Sequence, residues 1–129
     1  MTEQLRNFDV SDPFGRLWRV EFRWLQNAIS IRHADAIDLK YYISDGEQRR
    51  ELVVALPHAS LLSLAAERDR KLTDAWCMRL GALQVQHMIS TWTGMESPLI
   101  TLDAGSLARL NAAIEASASE ARSLAARTR

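Results

Sequence analysis

The sequence predicts a single α+β domain, in which a four- to five-stranded antiparallel β-meander precedes about three α-helices packed on one face of the sheet. Apolar and polar residues alternate from Leu17 to Leu56, which is the period of a half-buried strand. After Pro57 the apolar residues recur every three to four positions, which is the period of a helix. Asp45 and Gly46 separate two alternating runs, and Asp-Gly is a strong hairpin signal because a type I′ turn needs positive φ at both central positions.

The composition is that of an ordinary folded domain. Of 129 residues 47% are apolar and 25% charged, which is too apolar for a disordered chain. The 16 Lys and Arg balance the 16 Asp and Glu, so no long-range field draws the chain to nucleic acid or anionic lipid. We therefore expect one domain over residues 1–129, with an N-terminal arm or weak strand (1–16), a β-meander (17–56) and a mainly helical part (57–129).

Several classes of protein are excluded or disfavoured by simple counts. The single cysteine, Cys77, excludes an internal disulfide and a cysteine-based zinc cage within one chain. Met1 to Asn7 lack the apolar stretch of a secretory signal, and no run approaches the roughly 18 to 20 apolar residues of a membrane helix. We therefore expect a cytoplasmic protein with no membrane partner, no metal and no cofactor.

The strands are predicted in order along the chain. A weak strand at Phe8 to Val10 turns at Asp12, Pro13 and Gly15. The next strand places Trp18, Val20, Phe22 and Trp24 on the buried face. A two-residue turn at Gln26 and Asn27, a strand at Ile29 to His33, a loop at Ala34 to Ala36, and strands at Ile37 to Ser44 and Leu52 to Leu56 complete the meander.

These turns predict a definite register. The first turn pairs Trp24 with Ile29 and Glu21 with Arg32, and the loop pairs Arg32 with Asp38. The Asp-Gly turn pairs Leu39 with Leu52 and Lys40 with Glu51. Apolar side chains then meet on one face while opposite charges meet on the other, and a slip by one residue would destroy both patterns.

The helices are predicted from caps and periodicity. A short helix runs from Pro57 to about Arg68, and Thr73 caps a second helix from about Asp74 to Thr93. A fifth strand at Leu99 to Leu102 and a third helix from about Ala104 to Arg127, capped by Asp103, follow. Only a narrow stripe of Arg79, Gln86 and Ser90 is polar on the second helix, so that helix needs cover on more than one side.

The residues that point to chemistry are few. The sequence has no Gly-rich phosphate loop, no paired histidines at metal spacing on a helix and no nucleophile elbow. The candidates for ligand binding are His33, Tyr41, Trp76 and His87, and no catalytic residue is identified. His33 is either a general base at a cleft or, as we favour, a sheet-edge histidine bonded to a turn. His87 is either a pocket residue or, as we favour, a satisfied core or interface histidine.

Arg50 and Tyr42 raise further possibilities. Arg50 lies on the apolar face, where it either extends to water or binds an anion. The outer sheet face carries a small basic excess beside Tyr42, but single-strand binding needs several exposed aromatic rings for stacking. Only Tyr42 qualifies, so we do not expect a nucleic-acid partner.

Three hypotheses about function remain. The favoured one is a non-enzymatic interaction or assembly module that self-associates as a homodimer through its second or C-terminal helix, or binds another protein. The alternative is a small-molecule-binding protein, with enzyme activity as a special case that no constellation of residues supports. Its aromatic pocket would be lined by Trp18, Trp24, Tyr41, Trp76 and Trp92. A nucleic-acid-binding regulator comes third.

Overall fold

The sheet and the helices follow the predicted order along the chain. A computed structural model describes residues 6–28 and 35–127. Its elements are β1 (Asn7–Ser11), β2 (Leu17–Ala28), β3 (Ala36–Ser44), β4 (Arg49–Pro57), α1 (His58–Glu67), α2 (Asp74–Thr91), β5 (Leu99–Thr101) and α3 (Ala104–Arg127). The predicted α+β class is confirmed, including the weak N-terminal strand and the short fifth strand.

The five strands form one sheet in the order β1-β2-β3-β4-β5. The first four pair antiparallel, whereas β5 pairs parallel with β4. The prediction of a wholly antiparallel sheet is therefore corrected at this edge. The chain passes through α1 and α2 between β4 and β5, and such a crossover returns the chain in the same direction.

Strand β2 continues where a turn was predicted. Gln26 and Asn27 lie within this 12-residue strand and pair with Asp38 and Ile37 of β3. The predicted two-residue turn is therefore wrong, because β3 offers backbone partners along the whole length of β2. The predicted strand at 29–33, including His33, lies outside the described residues.

The charge pairs predicted around that turn are wrong as well. Glu21 lies between Asn7 of β1 and Tyr42 of β3, and Asp38 lies opposite Gln26. The direct cross-strand neighbours of both carboxylates are therefore residues other than those predicted, and Arg32 itself lies outside the described residues. The loop predicted at Ala34 to Ala36 ends one residue earlier than predicted, because Ala36 is the first residue of β3.

A β-bulge at Arg23 reverses the alternation in the second half of β2. The register shifts between Phe22 and Trp24, so Phe22 lies opposite Tyr41 whereas Trp24 lies opposite Lys40. Leu25 takes the next inward position and packs against the core. The prediction that Trp24 faces the core is therefore wrong: one additional residue places Trp24 on the outer face of the sheet, away from the helices.

The β3–β4 hairpin turns at the predicted residue, Asp45, but its loop is two residues longer than predicted. Asp45 to Gln48 form the connection, and Asp45 Oδ1 accepts hydrogen bonds from the N–H groups of Glu47 and Gln48 at 3.0 and 2.7 Å. This moves the pairing by two residues, so Leu39 lies opposite Val54 and not Leu52. A shift by two leaves every side chain on its predicted face.

One predicted charge pair survives this shift. Lys40 Nζ lies 3.3 Å from Glu51 Oε1, although the two residues are diagonal neighbours and not direct partners. The predicted caps are also confirmed: Thr73 Oγ1 accepts a hydrogen bond from Trp76 N, and Asp103 Oδ1 accepts one from Ser106 N.

Helix α2 lies at the centre of the helical layer. It contacts β1, β2, β3, β4 and α3, so the expectation that it needs cover on more than one side is confirmed. Nine of its residues are buried: Trp76, Cys77, Met78, Leu80, Gly81, Ala82, Val85, Met88 and Ile89. These join the inward side chains of the sheet in one hydrophobic cluster.

The closest approach of α2 to the sheet occurs at Gly81. A Cβ atom at this position would lie 2.5 Å from Tyr41 Oη and 3.2 and 3.3 Å from the two methyl groups of Leu39. Tyr41 is fully buried, its hydroxyl has no hydrogen-bond partner among the described residues, and burial raises its pKa above the ordinary value. Only glycine allows α2 to pack this closely on β3.

Candidate functional site

The predicted ligand-binding residues do not meet in one place. Tyr41 and Trp76 are core residues with 0% and 4% exposure, whereas His87 is exposed on α2. His33 lies outside the described residues. The five predicted pocket aromatics are likewise divided, because Trp24 lies on the outer sheet face while Trp18 is buried beneath the helices.

Trp76 belongs to a polar network that joins the helices. Its Nε1 donates to Asn111 Oδ1 at 2.9 Å, and Arg70 Nη1 donates to the same oxygen. Asn111 Nδ2 in turn donates to Glu115 Oε2 at 3.1 Å, and Glu115 forms an ion pair with Arg68. Asn111 is buried, and its amide is bonded through both oxygen and nitrogen. The arrangement holds α3 against α2 and the segment after α1.

Asp12 is a buried carboxylate that the sequence indicated only as part of a turn. Its oxygens accept hydrogen bonds from the backbone N–H groups of Phe14 and Arg16, from Trp18 Nε1 and from Arg16 Nε, at 2.8 to 3.1 Å. Burial by itself raises the pKa of Asp12, but the hydrogen bonds from Trp18, Arg16 and Phe14 outweigh it and hold the pKa at about 2. Asp12 is thus a fixed structural anion at the β1–β2 corner.

Arg50 is held in place by protein groups. Its Nη1 donates to the carbonyl oxygen of Met95 at 2.9 Å, and its Cζ lies 5.8 and 5.6 Å from the ring centroids of Trp18 and Trp92. Arg16 lies 5.5 Å from the same two rings. Two cations therefore flank a pair of tryptophans, and the hydrogen bond ties the segment after α2 to β4.

A long groove opens between β1, α2 and α3, and we call it the β1–α2–α3 groove. It consists of two adjoining depressions of about 520 and 530 Å³ that share Asp9, Leu83 and Gln86. His87 and Ser90 lie at one end, and Arg79 and Ser117 belong to the other depression. Its walls are mostly apolar: Phe8, Val10, Ala82, Leu83, Leu110, Ala113, Ile114, Ala118 and Ala121.

Helix α3 extends from this groove beyond the core. Its first half is anchored by buried Leu107, Asn111 and Ile114, whereas every residue from 119 to 125 is exposed. At about 1.5 Å per residue a 24-residue helix is about 36 Å long, so its last turns pass the end of the core. We call residues 119–125 the α3 extension.

The described residues offer little for a reaction centre. Within 6–28 and 35–127, no group of three or more His, Cys, Asp and Glu side chains is arranged to hold a metal ion. Burial, followed by the charge of Asp74, raises the pKa of the Cys77 thiol to about 12, so it is no nucleophile at neutral pH. No helix in the described part is long and apolar enough to cross a membrane.

The class of this protein is defined by its architecture, because comparisons with known proteins gave no relative. We compared the chain with protein-family models, with curated proteins and with solved structures, and none of the three comparisons gave a match. The class is thus a five-stranded α+β fold with three helices on one sheet face. The β1–α2–α3 groove is an open and mostly apolar feature of the described residues, and the sequence indicated it only through the excess of apolar residues on α2.

Proposed function

We propose that this chain is a cytoplasmic, non-enzymatic assembly module that forms a homodimer through the β1–α2–α3 groove. The observation that carries the proposal is the groove itself: half-buried Phe8 and Leu83 and the small side chains of Ala118 and Ala121 line it near the place where α3 leaves the core. A protein partner that covers these apolar side chains is favoured, because the burial of apolar surface is favourable.

A second α3 helix fits the shape and the symmetry of this site. Alanines at 113, 118 and 121 line the groove, and small side chains allow another helix to approach closely. In a two-fold dimer the α3 extension of each copy lies along the groove of the other, so each favourable contact occurs twice. Stable dimers bury about 1,200–2,000 Å² in total, so the contact must continue along the groove and not end at the extension.

Charge complementarity supports the same arrangement. Arg79 lines the groove and Glu120 lies on the α3 extension, and neither forms an ion pair within the described part of the chain. When the extension of one copy lies on the groove of the other, opposite charges meet at the rim. Such rim pairs contribute more to orientation than to affinity.

The test compares two alanine-to-arginine variants of the same helix. Ala121 lines the groove, whereas Ala112 is exposed and lies nine residues earlier, on the opposite side of α3 by about 180°. We expect sedimentation velocity over about 1–100 μM to show a wild-type dimer. We expect A121R to be monomeric and A112R to be dimeric. A wild-type monomer at the highest concentration, or an equal effect of both variants, would refute the proposal.

A further inference from the structure

We propose that the outer face of the sheet binds single-stranded nucleic acid, with a base stacked on Trp24 and phosphates bound by Arg23 and Arg49, whose guanidinium groups lie over the Tyr42 ring. This face is separate from the β1–α2–α3 groove, and the inference does not depend on dimer formation. The hydrophobic core and the helices lie on the opposite face of the sheet. On this outer face Arg23 and Arg49 are exposed, and Trp24 and Tyr42 are half-buried.

The two aromatic rings lie side by side on neighbouring strands. Trp24 of β2 is opposite Lys40 of β3, and Tyr42 is two residues further along β3 on the same face. Lys40 Nζ lies 5.8 Å from the Trp24 ring centroid and 5.5 Å from that of Tyr42. Their separation is thus at most the sum of these distances, about 11 Å. The bulge at Arg23 creates this pair, and bulges commonly re-aim a side chain at a functional site.

The cations around Tyr42 differ in whether their charge is already neutralised. Arg23 Cζ and Arg49 Cζ lie 5.0 and 4.1 Å from the Tyr42 ring centroid. Neither forms an ion pair in the described part of the chain, whereas Lys40 pairs with Glu51 at 3.3 Å. Two guanidinium groups therefore flank an aromatic ring with their charge available, and guanidinium is suited to bidentate phosphate contacts.

Several properties of this face favour a single strand over other polyanions. Unstacked bases need aromatic faces or guanidinium planes, and a sheet that presents both is suited to them. Glu21 of β2 and Glu51 of β4 flank Tyr42. Their carboxylates would repel a uniformly anionic lipid surface, but they can accept hydrogen bonds from the exocyclic amino groups of bases. A duplex keeps its bases stacked inside and offers these rings nothing to stack on.

The number of available cations sets the expected salt dependence. With two phosphates neutralised on a single strand, log Kobs should fall with log salt concentration at a slope of about −1.4. Removing one of the two arginines should reduce the magnitude of that slope by about 0.7. Stacking contributes about 5- to 150-fold in affinity per base, and this contribution is independent of salt.

The experiment measures fluorescence anisotropy of labelled single-stranded DNA and RNA oligonucleotides of about ten nucleotides. We expect Trp24→Ala to weaken binding by about 5- to 150-fold without changing the slope, and Trp24→Phe to retain most of the affinity. We expect Arg49→Gln to weaken binding and to reduce the slope. Arg109→Gln on α3 is the matched control, because Arg109 is exposed and lies on α3, away from the outer face of the sheet.

Each contrary outcome overturns the inference. Wild-type protein that binds neither oligonucleotide at about 100 μM has no such site. An equal loss with Arg109→Gln, or equal affinity for a duplex of the same length, indicates nonspecific charge attraction. Binding to vesicles of anionic lipid that depends on Trp24, without oligonucleotide binding, assigns the face to a membrane surface instead. Circular dichroism of every variant shows whether the fold is retained.

Discussion

Replacing Gly81 by alanine tests the closest contact between a helix and the sheet. The added methyl group would lie 2.5 Å from Tyr41 Oη and 3.2 to 3.3 Å from the Leu39 methyl groups. Tyr41 is fully buried on the middle strand, so its ring has no space into which to move. Helix α2 must therefore shift away from β3 to admit the methyl group.

Two opposing terms determine the size of the effect. Alanine in a helix interior is favoured over glycine by about 1 kcal/mol. Overpacking of a dense core costs about 1–3 kcal/mol, and a contact this short belongs at the upper end. We therefore expect Gly81→Ala to lower the free energy of unfolding by about 2 kcal/mol, from about 3 kcal/mol lost and about 1 kcal/mol gained.

Tyr41→Phe removes the atom that causes the clash. It also removes a buried hydroxyl without a partner, so we expect this variant alone to be neutral or up to about 1 kcal/mol more stable. In the phenylalanine background the nearest neighbours of the new methyl group are the Leu39 methyl groups at 3.2 and 3.3 Å, which need to move by only a few tenths of an ångström. Gly81→Ala should then be close to neutral, and the coupling between the two sites should be about 2 kcal/mol.

The assay is urea unfolding of the wild type, both single variants and the double variant at one protein concentration. We expect the double variant to be more stable than Gly81→Ala alone. The predicted clash is refuted if Gly81→Ala changes the free energy of unfolding equally in both backgrounds, within about 0.5 kcal/mol, or if Gly81→Ala stabilises the wild type.

Three further predictions concern buried polar groups. The pKa of Asp12 is held at about 2 in the folded protein, below its ordinary value of 3.8. The ionised carboxylate therefore stabilises the fold at every pH above about 3.8, and this stabilisation is lost as the pH falls toward 2. Asp12→Asn should lower the melting temperature at pH 6 and flatten its decline between pH 4 and 2. Asn111→Leu should cost about 2 kcal/mol in chemical denaturation, since the indole N–H of Trp76 loses its acceptor in the core. Cys77 should resist a thiol reagent at pH 8 in the folded protein and react fully in urea; fast reaction of the native protein would contradict its burial.

The features that the sequence predicted well are those set by neighbours along the chain. Thr73 and Asp103 were identified as caps because a cap needs only its own side chain and the N–H three residues later. The hairpin at Asp45 was placed for the same reason. Its loop is longer than a type I′ turn because the Asp45 carboxylate binds the N–H groups of Glu47 and Gln48, and this competes with the shorter turn.

The features that the sequence did not predict depend on distant partners. The alternation through Trp18, Val20, Phe22 and Trp24 has no break at Arg23, because a bulge is defined by its pairing with β3 and not by residue type. The same holds for the candidate site. Leu83 lies on an apolar face of α2, but whether it lines a groove depends on where α3 lies relative to β1.

The bulge at Arg23 also bears on how this protein avoids aggregation. Strand β1 ends its pairing at Glu21, so β2 from Phe22 to Ala28 has no strand beside it on that side within the described residues. A straight, apolar edge of seven residues would serve as a template for another chain. The bulge and the charge of Arg23 interrupt that edge near its start, and Gln26 and Asn27 add polar side chains. A variant that lacks Arg23 would restore regular alternation and present an uninterrupted edge to a neighbouring molecule.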